Sequence, residues 1–484
     1  MTTVPRKPHS PRKHALTLGL GALGLGALLG LSLAQPALGW SVEEAAAPYK
    51  GSELKVGIAF VPVMEGLLPL MKEFGEKTGI KVKIEQFTHG EWDAKGDADL
   101  YSRTGYFDLL MMHHNRAQDW AGNGHVRWIN DLMNDPKLRD PDLDPDDFLQ
   151  PLWDDYCLFE GGKLACYPFM NFQMVYWFRK DFMEDAGERA AFKAKYGYDL
   201  APAVTFTQYR DIAEFFTRKK GETIAGTTLE ENHYGVGVVG KRGPSLTWEW
   251  YNILNGWGAP VFDADGKPSF ENDKVLAATK WWLSLREFAP PGVAEAGFID
   301  LFVLMTKGNI AQAIQWVDFA FAIDVPAISK AVGVYSYAPV PRREASMAPG
   351  GWGEAEPLVI SKQSKNPEAA YLLMQWLASK ETNKRWLEGP GHGLPLRESS
   401  LSVPIVREHP VFKPLLSSMK NGWFDPGFTD YIQLRGEIAI QITAAAAGNQ
   451  SIEEALAKIQ ARAEKIHPQG DINPGQPHVS QFTR

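Results

Sequence analysis

Between Glu53 and Phe87 the sequence reads ELKVGIAF, then VPVMEGLLPLMKEFGEKTG, then IKVKIEQF. The outer stretches are short and strand-like, and the last alternates its faces. The middle stretch is an amphipathic helix stopped by Gly79. A strand that reaches a second strand through a helix pairs with it in parallel, which commits the chain to an α/β sheet. YFDLLMM adds a third strand, and HHNRAQ reads as the polar loop after it.

The same grammar continues downstream. QMVYWFRKDFMEDAG is a strand entering a helix, and TFTQYRDIAEFFTRK is a helix capped by its Thr. NDKVLAATKWWLSLREFAP, NPEAAYLLMQWLASKETNKRWL and SIEEALAKIQARAEKI are further amphipathic helices. HPQGDINPGQPHVSQFTR has no periodicity, so residues 469–484 are expected to be a loose tail. There is no internal repeat, and 484 residues suit two or three domain-sized cores.

The first residues carry Arg6, Lys7, Arg12 and Lys13 and no acid; an apolar run from Ala15 to Leu33 and the small residues of AQPALG follow. A basic start, an apolar middle and a small-x-small end predict a secretory signal peptide over residues 1–39, hence a periplasmic protein. With no cysteine near the expected cut, lipoprotein anchoring is not indicated. In an oxidising compartment the two cysteines, Cys157 and Cys166, read as a disulfide. With Gly161 and Gly162 as a two-residue hairpin turn, residue 157 falls opposite 166 in a non-hydrogen-bonded pair, Cα atoms about 4.5 Å apart, within disulfide reach. Such a clip is expected to add about 2–3 kcal/mol.

Without the export segment the formal net charge moves from −8 to −12, because four cations leave. An acidic chain with no basic cluster excludes nucleic acid as a partner. The distinctive quantity is aromatic: 16 Trp beside 25 Phe and 15 Tyr, ring faces on which the C–H side of a sugar can stack. GVGVVG, Gly235 to Gly240, matches a dinucleotide fingerprint in letters, but KRGPS follows it where a helix should open, and its glycines alternate inside a strand-like run. DADG starts like a calcium loop and lacks the later ligands. There is no GxSxG elbow, and no cofactor or metal is expected.

Four stretches in order carry a family resemblance: GGKLACYPFMNFQMVYWFRKDFM, HYGVGVVGKRG, FAPPGVAEAGFIDLFVLMTKGNIAQAIQWVDF and GGWGEAEPLVISKQSKNPEAAYLLMQWLAS. Together they resemble the family 1 extracellular solute-binding proteins of bacterial carbohydrate ABC importers, and within these the sugar and sugar-alcohol binders. The resemblance spans about residues 54–466. It implies an α/β, two-lobed periplasmic-binding-protein (type II) fold with a hinge between lobes. Crossings are expected near Tyr167–Asn171, Ala338–Pro341 and Gly389–Pro395. Lobe 1 is then 52–167 plus 341–392, and lobe 2 is 168–340 plus 393–468. The implied protein is a non-enzymatic monomer that takes a sugar or polyol from the periplasm to the transmembrane subunits of an ABC permease. A polyamine or organophosphate solute, and a secreted carbohydrate-active enzyme, are the alternatives.

By the same resemblance Trp316 and Asp318 of QWVDF match a ligand-facing position, and Gly351 and Trp352 of GGWG a ligand edge. Trp248 and Tyr251 of SLTWEWYN share a helical face, with either cleft or core as its destination. His113, Asn115 and Arg116 follow a strand end, where open α/β sheets place ligands. Asn171 is expected to face the cleft or to bond the hinge backbone. Glu65 is expected at the start of the first helix, as a ligand contact or a favourable N-terminal charge.

Overall fold

The computed structural model describes residues 39–263, 265–423 and 430–466. Residues 1–38 of the expected export segment and the expected tail at 469–484 lie outside the described residues.

Two larger sheets organise the chain. In the first, Glu53–Ala59 runs parallel to Lys81–Phe87 in unbroken register, from Glu53 opposite Lys81 to Ala59 opposite Phe87. Leu109–Met111 lies parallel on its other side, and Leu358–Ile360 adds an antiparallel edge. The helix Leu68–Thr78 returns the chain between the first two strands and buries Leu70, Met71 and Phe74. It ends where Gly79 takes φ 72°, a left-handed value that a side chain would resist. Pro367–Ala378 packs against that helix. Ser379 then stops the helix and caps a separate one, Lys380–Glu388, by accepting from Thr382 N–H.

The second sheet is built on Phe172–Arg179, buried at every position but the last. Near-continuous burial explains why the strand reads FQMVYWFR rather than alternating. Gln312–Trp316 and Tyr335–Ala338 flank it antiparallel, and Gly353–Glu354 pairs with its first two residues. The helices Phe206–Phe215 and Asp273–Ser284 open with the expected Thr205 and Asn272 caps. Pro244–Trp257, Tyr431–Ala446 and Ile452–Ile466 pack in series beside them.

Three expectations are corrected. HHNRAQ is no loop: His114–Gly122 is a helix. Its burial of Ala117, Trp120 and Ala121, rather than any sequence periodicity, stabilises it. The cysteine hairpin turns through three residues, Glu160–Gly162, with both glycines near φ 72°, so Leu158 pairs with Leu164 and Phe159 with Lys163. That slips the expected register by one, and the Ala165 N–H bonds Cys157 O. Cys166 is then the diagonal neighbour of Cys157. Both are buried free thiols, with Sγ atoms 2.8 Å apart, so the expected disulfide is not formed here. Finally, GVGVVG is not a continuous strand. Only Tyr234 and Gly237 bridge, to Ile310 and Ala313. A Cβ on Gly235 would lie 1.6 Å from Ala213 O, and one on Gly237 2.3 Å from Leu301 Cδ1. These glycines admit neighbouring chain, not a nucleotide.

Candidate ligand cleft

The third parallel strand ends at Met111, and two residues on His113 turns the chain into the His114–Gly122 helix. That position buries the His113 ring, 2% exposed, among carboxylates. Its Nδ1 is 2.9 Å from Glu354 Oε1 and 3.3 Å from Glu356 Oε1, and its Nε2 is 3.9 Å from Asp93 Oδ1. Arg116, one turn on, places Nε 3.0 Å from Asp93 and also pairs with Asp97. Burial opposes charge on His113, but Glu354 and Asp93, with hydrogen bonds to Glu354 and Glu356, overcome it and hold the imidazolium well above its usual range. Asp93 is held low in turn: burial raises it, and His113, Arg116 and Arg435 outweigh that.

Aromatic rings close over this cluster. Trp248, from Pro244–Trp257, stands 5.2 Å from the His113 ring and 5.6 Å, edge to face, from Trp316. The Arg435 guanidinium sits 5.7 Å above Trp248. Phe298 stacks on Trp248 and meets Trp316 edge-on. One turn further along the same helix, Tyr251 stacks on Trp352 at 4.8 Å with planes 9° apart. Trp248 and Tyr251 do share a face.

Asp318 follows Trp316 in the turn Val317–Phe319 and is buried. Burial first, and the neighbouring Glu356 charge second, push its carboxyl up to about 7. Glu356 is likewise raised to about 7 by burial, against the lowering pull of His113. Three buried polar atoms here have no hydrogen-bond partner among the described residues: Trp248 Nε1, Trp352 Nε1 and Glu356 Oε2. Donors and acceptors are thus left unspent in one aromatic enclosure.

The remaining expected residues separate. Gly351 is packed by protein: a Cβ there would lie 2.6 Å from Met174 O. Asn171 donates Nδ2 to Pro395 O at 2.9 Å and accepts from Gln173, so its amide serves the backbone near the crossing. Glu65 is exposed, in the turn Pro62–Gly66 that packs against Val317–Phe319. Asn115 lies in the first turn after His113, and its side chain is outside the described residues. Sequence reasoning missed Asp93, Glu354, Glu356 and Arg435. The alternation of GEAEP put both glutamates in view, and Arg435 stood out as a charge in a buried helical face.

Among the described residues no group of three or more His, Cys, Asp or Glu is arranged to hold a metal, and no helix is long and apolar enough to cross a membrane.

Two sheets beside a polar, aromatic-walled cluster are those of a solute receptor, and the fold is the type II periplasmic-binding-protein fold. The chain belongs to the bacterial extracellular solute-binding protein family, whose profile matches residues 60–384. It is 24% identical over 464 residues, 94% of this chain and 98% of the relative, to a probable amino-acid ABC transporter periplasmic-binding protein, y4oP, of Sinorhizobium fredii. It is 26% identical over 330 residues to a mannitol-binding protein of Pseudomonas aeruginosa, covering 66% of this chain and 68% of that one. Among solved structures, an ABC transporter solute-binding protein of Agrobacterium radiobacter K84 in complex with ribitol superposes with a TM-score of 0.73 at 23% identity. The match covers 86% of this chain and 99% of that one.

Proposed function

We propose that the protein captures a sugar alcohol or sugar between two lobes, in the enclosure around His113 and Trp248, and delivers it without chemical change to an ABC permease from the periplasm. The observation that carries this is the set of unspent donors and acceptors beside ring faces. Each hydroxyl of a polyol both donates and accepts, so Trp248 Nε1 and Trp352 Nε1 on one hand and Glu356 Oε2 on the other match it. The carboxylate–imidazolium–guanidinium lattice holds these groups in place before the ligand arrives. The named ligands of the mannitol- and ribitol-binding relatives support the same solute class.

The lobes follow the two sheets. Residues 342–354 bond Val204, Phe206, Gly256, Gln173 and Trp423 on the second sheet's side, and Leu358 is the first to join the other sheet. Arg397 still bonds Leu143, Asp144 and Ala378 on the first sheet's side, while His409 packs on Phe321 and Tyr337. These bonds support moving the second crossing to about Ala355–Pro357 and the third to about His409–Val411, each later than the resemblance implies. The first remains at Tyr167–Asn171. Val317–Phe319 against Pro62–Gly66, and Tyr431–Ala446 against His114–Gly122, are then contacts between lobes. They support a closed form, which a bound solute would stabilise by the contacts it makes only there.

The four carboxylates Asp93, Asp318, Glu354 and Glu356 favour a second reading, an amine solute; the three cations His113, Arg116 and Arg435 among them weigh against it. A thermal-shift panel of polyols, sugars, polyamines and organophosphates separates the two. A ligand at 100 times its Kd adds about 2.7 kcal/mol of stability. A response to a polyol or sugar is expected, and a response confined to polyamines would replace the solute class.

A further inference from the structure

The turn of helix Lys180–Glu184 and the hairpin Thr223–Thr228 border a solvent-open pocket of roughly 600 Å³ that shares no residue with the His113 cluster. Its volume lies in the range of small-molecule sites. One wall is held in an unusual conformation. Ala225 and Gly226, the two turn residues, have φ 46° and 75°. Both positive angles make a type I′ turn, in which Asn, Asp or Gly is usual at the first position. A left-handed alanine persists where its surroundings impose it. Here Glu188 does so: Oε1 accepts from Ala225 N–H at 2.9 Å and from Arg218 at 2.9 Å, and Arg218 also donates to Thr223 O.

At the base is His233, 2% exposed. Its Nδ1 is 2.8 Å from Phe216 O. A carbonyl can only accept, so Nδ1 carries the proton and Nε2 presents a bare lone pair. That Nε2 is buried and has no partner among the described residues, and the ring lines the cavity. Burial, joined by Arg179 and Arg218 against the Phe216 carbonyl, keeps the ring neutral down to about 4.

The rest of the lining is acidic. Arg179 is consumed by Asp181, at 2.8 and 2.6 Å, and by Gly308 O. Among the described residues no cation pairs with Glu184 or Asp185, and Asp185 accepts from the Glu188 N–H. Ile224 and Leu229 supply an apolar side. With Arg179 already paired and the Thr227 hydroxyl the other side-chain donor in the lining, acceptors predominate, and they share one chemistry with the excess negative charge and the apolar wall. We propose that this cavity is a second ligand site for a small primary ammonium ion with an apolar tail, its N–H groups facing His233 Nε2 and Glu184.

The test is a titration of the full protein, labelled with 15N-histidine, with n-butylammonium chloride at pH 7. The His233 resonances are those lost in His233→Asn, whose amide nitrogen can keep the bond to Phe216 O. Glu184→Gln, at an exposed position, is an independent second variant. The expected result is a saturable shift of the His233 Nε2 resonance, absent with 1-butanol at equal concentration and weakened about fivefold by Glu184→Gln. An unmoved resonance overturns the site. An equal shift with 1-butanol, or unchanged affinity in Glu184→Gln, overturns the ammonium assignment.

Discussion

His113 Nδ1 lies 2.9 Å from Glu354 Oε1, a buried contact between residues 241 positions apart in the chain. It joins the end of a parallel strand to the extended segment that carries Trp352, Glu354 and Glu356. Removing the ring leaves two buried carboxylates without their cation. His113→Phe is therefore expected to cost about 3–5 kcal/mol, read as a lower denaturation midpoint, and to abolish solute binding. Unchanged stability would show that the carboxylates are solvated or protonated without it.

Asp318 carries a pH signature. Its carboxyl is raised to about 7 in the folded protein, against about 3.9 unfolded. Between those values the folded state holds a proton that the unfolded state has released. Its contribution is therefore full below pH 4, and it is lost as pH rises through about 7. Asp318→Asn should come closer to wild type near pH 4.5 and exceed it in melting temperature near pH 8. Glu356, raised for the same first reason, adds to the wild-type slope. Parallel wild-type and Asp318→Asn curves across pH 4.5–8 would contradict the buried, uncompensated carboxyl.

Trp352 separates packing from recognition. It is fully buried and stacked on Tyr251, and its Nε1 has no partner among the described residues. Trp352→Phe keeps a stacking ring and deletes the donor. Solute affinity should fall about five- to tenfold, one neutral hydrogen bond's worth, in addition to the loss of stability that a smaller ring at a fully buried site brings. A variant that lowers stability and leaves affinity intact would make Trp352 core alone.

The thiols of Cys157 and Cys166, 2.8 Å apart, are close enough that an oxidising compartment is expected to join them. Alkylation of unreduced, unfolded periplasmic protein should then add no label by mass. Two labels would show that the diagonal placement keeps them as thiols.

Much of the scaffold was readable because its signals are local. Gly79 as a helix stop, Thr205 and Asn272 as caps and the parallel pairing of residues 53–59 with 81–87 all follow from short windows. The His114–Gly122 helix was not readable, since its stability comes from Trp120 and Arg116 meeting distant partners. Glu-Gly-Gly fits a two- or a three-residue turn, and one residue decides which side chains face each other. Trp316, Trp248 and Asp318 were legible as aromatic and acid in suggestive places. That Asp93, Glu354, Glu356 and Arg435 converge on His113 and Trp248 depends on contacts from 20 to 243 positions apart in the chain, which no short window contains.

The proposed function requires a polyol or sugar in the enclosure around His113 and Trp248. Its most direct test is isothermal titration of the full protein with D-mannitol and ribitol, repeated on Trp248→Ala. One site per chain, unaltered ligand recovered afterwards, and loss of binding in the variant are expected. Saturable binding that survives Trp248→Ala, or heat from a polyamine and from no polyol or sugar, would contradict it.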